Sequence, residues 1–206
     1  MKALLVNGSP HERGCTYTAL REVEKVLAER GVDAEILYLG MKPIAGCIAC
    51  GKCSETGACV WNDLVNEVGR RLDEFDALVL GSPVYYAGPC AQLTAFLDRL
   101  FFAYSGKMAG KLGASVVSCR RGGASAAFDR LNKYFTICNM PVVSSQYWNQ
   151  VHGFTPEDVM KDHEGLQTMR TLAENMAWLL KSIEAGRAAG VPAPRYEPRV
   201  ATNFIR

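Results

Sequence analysis

Short apolar runs alternate with longer amphipathic stretches along the chain. Residues 2–6 (KALLV) form an apolar run that ends in a glycine turn, which predicts a buried strand. Residues 18–30 carry Leu20, Val23, Val26 and Leu27 at helical spacing and stop at Gly31. Residues 34–39 (AEILYL) predict a second strand, with a cysteine-rich loop behind it. Residues 62–74 repeat Leu64, Val65, Val68 and Leu72, a helix with Asn62 or Asp63 as its N-cap. Residues 77–80 (ALVL) are a third buried strand that ends in Gly-Ser-Pro. Residues 92–104 place Leu93, Phe96, Leu97 and Leu100 on one helical face. A fourth strand follows at 112–118 (LGASVVS), a helix at 124–138, the start of a fifth strand at 141–145 and a long last helix at 164–185.

Five repeats of strand then helix demand a parallel sheet covered on both faces. Right-handed crossovers leave few topologies. The expected fold is therefore α/β, a doubly wound five-stranded parallel sheet in the flavodoxin-like order 2-1-3-4-5. Residues 1–185 make one domain, above the usual ~100–150 residues for a single unit but short of two. Residues 186–206 hold three prolines without periodicity and read as a tail or an arm. No internal repeat or low-complexity segment interrupts the pattern.

Composition narrows the function classes. The chain is 49% hydrophobic and 21% charged, ordinary for a globular protein. A net charge of +2 predicts neither a nucleic-acid nor a membrane partner. No apolar run reaches the ~18 residues of a membrane span, and no signal peptide is expected ahead of the first strand. The expected compartment is the reducing cytoplasm. Eight cysteines there read as metal ligands, redox thiols or small buried hydrophobes before disulfides.

Ligands in such sheets bind beyond the carboxyl ends of the strands. After strand 1 comes NGSPHERGCTYTAL, with Ser9, Arg13, Gly14, Cys15, Thr16 and Thr18 ahead of a helix. Small residues at a helix N-terminus suit a phosphate, and the plainer reading is an N-capped flexible loop. This is neither the G-x-G-x-x-G turn nor the Walker A pattern. After strand 3 comes GSPVYYAGP, where Pro83, Val84, Tyr85, Tyr86, Ala87 and Gly88 suit a flat heterocycle or are simply half-exposed. After strand 4 comes SCRRGGAS, with Ser118, Cys119, Arg120, Arg121, Gly122 and Gly123, an anion cradle or a solvated basic turn. Cys15 and Arg21 have the C-x5-R spacing of small phosphotyrosine phosphatases. The intervening TYTAL has no glycine and reads as a first helical turn, so that chemistry is set aside.

These loops resemble the NAD(P)H-dependent FMN reductase branch of the flavodoxin superfamily. Gly-Ser-Pro followed by a threonine after strand 1 looks like that family's FMN-phosphate loop, with Gly14-Cys15-Thr16 where the family often has Gly-Asn-Thr. GSPVYYAGP looks like its isoalloxazine loop. The resemblance runs over roughly residues 1–185. It implies that Ser9, Arg13, Gly14, Cys15, Thr16 and Thr18 surround the FMN phosphate. Pro83 to Gly88 would flank the ring, and Ser118, Cys119, Arg120, Gly122 and Gly123 would close its other side. It also implies a homodimer or homotetramer. No catalytic side chain is expected: hydride passes from NAD(P)H to the flavin, and Arg120 or Arg121 supplies positive charge near the reduced ring. His11, His152 and His163 read as surface or isolated histidines.

The stretch GCIACGKCSETGAC, residues 46–59, packs Cys47, Cys50, Cys53 and Cys59 into C-x2-C-x2-C-x5-C. It resembles the motif of the iron–sulfur flavoproteins, which hold a [4Fe–4S] cluster beside FMN. Four thiolates bind such a cluster or a tetrahedral zinc. The alternative is a reduced loop without metal, and all three readings stay open. Following strand 2, the motif is expected on the same carboxyl edge as the FMN loops. The expected function is an FMN oxidoreductase that takes electrons from NAD(P)H and gives them to a flavin, quinone, azo or nitro compound, or another small acceptor. The alternatives are an FMN electron carrier between redox proteins and a zinc-bearing binding module.

Overall fold

The computed structural model describes residues 1–198 and 200–202. The chain begins with β1 (Lys2–Asn7), α1 (Cys15–Glu29), β2 (Asp33–Tyr38), a short α2 (Lys52–Thr56) and α3 (Leu64–Arg71). β3 (Ala77–Tyr85), β4 (Gly88–Pro89), α4 (Ala91–Ala103), β5 (Leu112–Cys119) and α5 (Ala124–Ile137) follow. β6 (Gln150–His152), α6 (Pro156–Val159) and α7 (His163–Ala188) complete the described strands and α-helices.

β1 is buried at every position after its lysine and pairs in parallel on both edges, with β2 and with β3. β5, buried throughout, pairs with β3, and β6 lies beyond β5. The order β2-β1-β3-β5-β6 is the expected 2-1-3-4-5 once the hairpin arm β4 is set apart. Alternation along β1 sends Leu4 and Val6 to one face and Ala3 and Leu5 to the other. The first face meets Val68, Phe96, Leu100 and Phe135 from α3, α4 and α5. The second meets Leu20, Val23 and Leu27 of α1 and Met169, Leu172 and Met176 of α7. Leu20, Val23, Leu27, Val68, Phe96 and Leu100 are among the positions whose spacing predicted their helices.

Several boundaries differ from the sequence expectation. α1 starts at Cys15, not at residue 18, because Gly14 takes the extended N-cap conformation. Asp63 is the cap of α3, its carboxylate accepting from Val65 N. The expected fifth strand at 141–145 is only a bridge. Gly113 donates to Pro141 O and accepts from Val143 N, and the chain then leaves the sheet. It returns where Val117 N donates to Asn149 O, so the regular edge strand is β6. The last helix runs to Ala188, and the tail from Val191 to Pro194 lies along a cavity with Met1, Lys111 and Ile183. Residues 199 and 203–206 of the expected tail lie outside the described residues.

Candidate functional site

The loop after β1 is built from backbone and buried polar groups. Asn7, fully buried, donates from Nδ2 to Glu12 O (2.9 Å) and accepts from Ser9 N (3.1 Å). Ser9 Oγ accepts from His11 N, and Tyr38 Oη donates to Pro10 O at 2.8 Å. The loop thus hangs from β1 and β2 before it enters α1. No side chain caps α1, and no acid stands in its first turn. Among the described residues, the backbone N–H groups of Cys15, Thr16 and Tyr17 have no acceptor. A helix start with free N–H groups and no competing carboxylate favours an anion. Beside it is a cavity of about 620 Å³ lined by His11, Arg13, Gly14, Tyr38 and Phe154, among others.

The expected side-chain contacts divide unequally. Arg13 is exposed beside this cavity. Thr18 Oγ1 instead donates to Gly14 O within its own helix (3.2 Å). Thr16 is buried and shares a 2.8 Å hydrogen bond with Ser118 Oγ. Cys15 Sγ lies 3.8 Å from Gly153 O, and burial pushes its thiol pKa up. Backbone groups, more than hydroxyls, therefore face the space ahead of α1.

The stretch GSPVYYAGP is not a loop. β3 continues through it to Tyr85, because pairing with β5 persists as far as Pro83 and Ser118. The chain then reverses in a two-residue turn, with Val84 opposite Pro89 and Tyr85 opposite Gly88. Tyr86 and Ala87 have φ of 49° and 58°, the left-handed region a tight hairpin turn demands. Neither is a glycine, and each costs about 1–2 kcal/mol there. The turn leaves Tyr85, Tyr86 and Ala87 exposed, and burial of its inner side raises the Tyr85 phenol pKa.

The loop after β5 touches this hairpin. Gly123 has φ +92°, and a Cβ on it would lie 2.7 Å from Ala87 Cα and 3.1 Å from Val84 Cγ1. Cys119 turns its thiol inward, onto Gly122 O at 3.0 Å, while Arg120 and Arg121 are exposed. Cys90 and Ser82, not among the expected site residues, tie the edge together. Cys90 Sγ donates to Gly8 O, Cys90 N donates to Ser82 Oγ, and Gly8 N donates to Gly81 O. With Thr16–Ser118 these bonds bring all three expected loops to one edge. The polar Asn7 and Ser82, buried in strands, were the signal the sequence offered for this joinery.

The cysteine segment is tied at its start to α4. Gln92, in the first turn of α4, donates to Gly40 O (2.7 Å) and Lys42 O (3.1 Å). Cys47, Cys50, Cys53 and Cys59 then line one narrow cleft with Trp61, Arg99 and Phe102. Arg99 is seven residues beyond Gln92, about 10 Å along the helix. The cleft therefore lies about two turns along α4 from the point where Gln92 holds Gly40 and Lys42. Among the described residues, no three His, Cys, Asp or Glu side chains converge closely enough to hold a metal ion. The donor set still suits an iron–sulfur cluster: four free thiols on one cleft, with a buried guanidinium whose Nε donates to Cys59 Sγ at 3.1 Å.

Arg99 was not singled out by the sequence. Its side chain is 0% exposed, and it forks onto Asp63 at 2.7 and 2.8 Å. Burial pulls its pKa down, but Asp63 and Cys59 outweigh that and leave it raised.

A doubly wound sheet of order 2-1-3-4-5, with three loops meeting at its carboxyl edge, defines the flavodoxin-like class. Within that class the NADPH-dependent FMN reductase family matches residues 1–155, and the chain belongs to that family of flavoprotein oxidoreductases. An iron–sulfur flavoprotein of Methanocaldococcus jannaschii is 33% identical over 194 residues, which cover 89% of this chain and 100% of the relative. Among solved structures, the NAD(P)H:quinone oxidoreductase of Methanothermobacter marburgensis superposes with a TM-score of 0.66 at 17% identity, covering 85% of this chain and 98% of that one. A flavodoxin from the domain Archaea gives 0.58 at 18% identity, covering 88% and 99%. These two likenesses speak to the fold. Among the described residues, no helix is long and apolar enough to cross a membrane.

Proposed function

We propose that the protein binds FMN at the carboxyl edge of the sheet, accepts reducing equivalents from NAD(P)H and delivers them to a small acceptor or a redox protein. A [4Fe–4S] cluster held by Cys47, Cys50, Cys53 and Cys59 belongs to the same reading. The observation that carries it is the uncapped start of α1, with three free N–H groups, tied through Thr16 to Ser118 in the loop that meets the strained Tyr86–Ala87 turn. When bound, FMN supplies hydride acceptance and one-electron release, and the cluster supplies a one-electron store.

The chain's own residues then have distinct tasks. The N–H groups of Cys15, Thr16 and Tyr17 hold the phosphate, with Ser9, Arg13, Gly14 and Thr18 shaping the loop around it. The hairpin from Pro83 to Gly88 walls one side of the ring, its conformation locked by contact with Gly123. Ser118, Cys119 and Gly122 set the course of the opposite loop. Arg120 and Arg121, exposed at its tip, place positive charge where a reduced, anionic ring needs it. The flavin-binding unit is the domain expected at 1–185, extended to the end of α7. A homodimer or homotetramer in the cytoplasm completes the proposal, supported by the exposed apolar Ile48, Val60, Trp61 and Phe102.

The test is anaerobic purification followed by absorbance spectroscopy, FMN, iron and acid-labile sulfide analysis, and stepwise addition of NADH or NADPH. Bound flavin that either nicotinamide bleaches supports the reductase reading. Flavin that neither bleaches, in a protein that exchanges electrons with ferredoxin, replaces it with the electron-carrier reading. A colourless protein that takes up no added FMN sinks both.

A further inference from the structure

The cysteine segment has almost no packing of its own. α2, in its middle, buries none of its residues, and Cys47 and Cys50 are exposed. Something other than a hydrophobic core must decide where its thiols sit. Arg99 reaches it from α4 with every donor it has. Nε goes to Cys59 Sγ (3.1 Å), and Nη1 to Ala45 O (3.2 Å) and Asp63 Oδ2 (2.7 Å). Nη2 goes to Trp61 O (3.2 Å) and Asp63 Oδ1 (2.8 Å). A guanidinium has five N–H groups, and all five are used.

The partners fall on both sides of the motif. Ala45 stands just before it, and Cys59, Trp61 and Asp63 stand at its end, so residues 46–58 form a loop closed through one side chain. Asn66 reinforces the far end, bonding Cys59 N, Cys59 O and Trp61 O. On the cluster reading above, on which this inference rests, we propose that Arg99 is a positioning residue for the iron–sulfur site. It closes the loop that presents the four thiols and donates a hydrogen bond to the sulfur of Cys59. Closing a loop removes chain entropy that binding would otherwise have to remove. A hydrogen bond to a ligating sulfur raises the cluster's reduction potential. Lysine carries the charge but lacks the planar fork, so it cannot hold both ends and the sulfur together.

The test compares anaerobically prepared wild type, Arg99→Lys and Asp63→Asn. Four quantities are read: iron and sulfide per chain, the cluster's midpoint potential and EPR signal, FMN content, and trypsin cleavage after Lys52 in iron-free protein. Arg99→Lys is expected to keep its FMN but to lose iron severalfold faster to a chelator. Its remaining cluster titrates at lower potential with a changed EPR signal, and cleavage after Lys52 accelerates severalfold. Asp63→Asn shifts each quantity in the same direction by less. Arg99→Lys with wild-type iron retention, potential and EPR signal overturns the proposal. Where that variant fails to fold, Asp63→Asn with wild-type values overturns it instead. Wild type without iron and sulfide sinks the cluster reading itself, and trypsin cleavage then still reports whether Arg99 closes the loop.

Discussion

Adding one methyl group at Gly123 should be costly, and adding one at its neighbour Gly122 nearly neutral. At Gly123 the left-handed backbone costs a residue with a Cβ about 1–2 kcal/mol. The new atom also falls 2.7 Å from Ala87 Cα and 3.0 Å from Ala87 Cβ, a backbone contact that no rotamer relieves. Overpacking of this kind adds about 1–3 kcal/mol. Gly122 has no positive φ, and a Cβ there meets nothing within 4 Å, so Gly122→Ala should stay within about 0.5 kcal/mol of wild type. The strain at Gly123 has two outlets. A hairpin that holds its place loses about 2–5 kcal/mol of unfolding free energy. A hairpin that swings away spares stability and loses the wall of the ring site, and 2 kcal/mol there is about a thirtyfold weaker FMN affinity. Urea unfolding of the apoprotein and titration of FMN fluorescence quenching read the two outlets separately. Gly123→Ala that matches Gly122→Ala in both assays would refute the contact between the loops.

Thr16→Val leaves Ser118 buried without its partner and should cost about 1–3 kcal/mol in urea unfolding, part of which Thr16→Val with Ser118→Ala recovers. Asn66→Ala removes four hydrogen bonds, among them the one from Tyr104 Oη. It should cost about 2–4 kcal/mol by the same measurement and loosen the end of the cysteine segment. Arg71, then Lys2, hold the Glu35 carboxyl below its ordinary value of 4.5. A depressed carboxyl stabilises above that ordinary value and loses its contribution as pH falls through the folded-state value. Glu35→Gln should therefore flatten the stability curve below about pH 4.5 and cost less than about 1 kcal/mol at neutral pH, because the pair is partly solvated. Equal acid limbs for the two proteins would contradict it.

The sheet order was legible because two periodicities alternate cleanly. Continuous apolar runs mark strands buried on both faces, and spacings such as Leu93, Phe96, Leu97 and Leu100 mark the covering helices. What escaped has specific causes. Tyr86 and Ala87 carry neither asparagine nor glycine, so nothing local announces a left-handed turn. Pro141 to Ser145 reads as a strand, but the sheet admits only Pro141–Val143 before the chain departs at Ser144. The cysteine spacing identified the thiols without locating them, since their place depends on α4. In FLDRLFF, Arg99 resembles any charged position on an amphipathic helix. Its burial follows from Asp63, Cys59 and Ala45, all more than thirty residues away.

That distance along the chain bears on biogenesis. The cysteines are synthesised before Arg99, the side chain that closes their loop. Their loop is closed by a side chain of α4, so ordering the thiols depends on a tertiary contact. A metallocentre delivered to this segment would meet a closed loop on a folded chain, not on a nascent one.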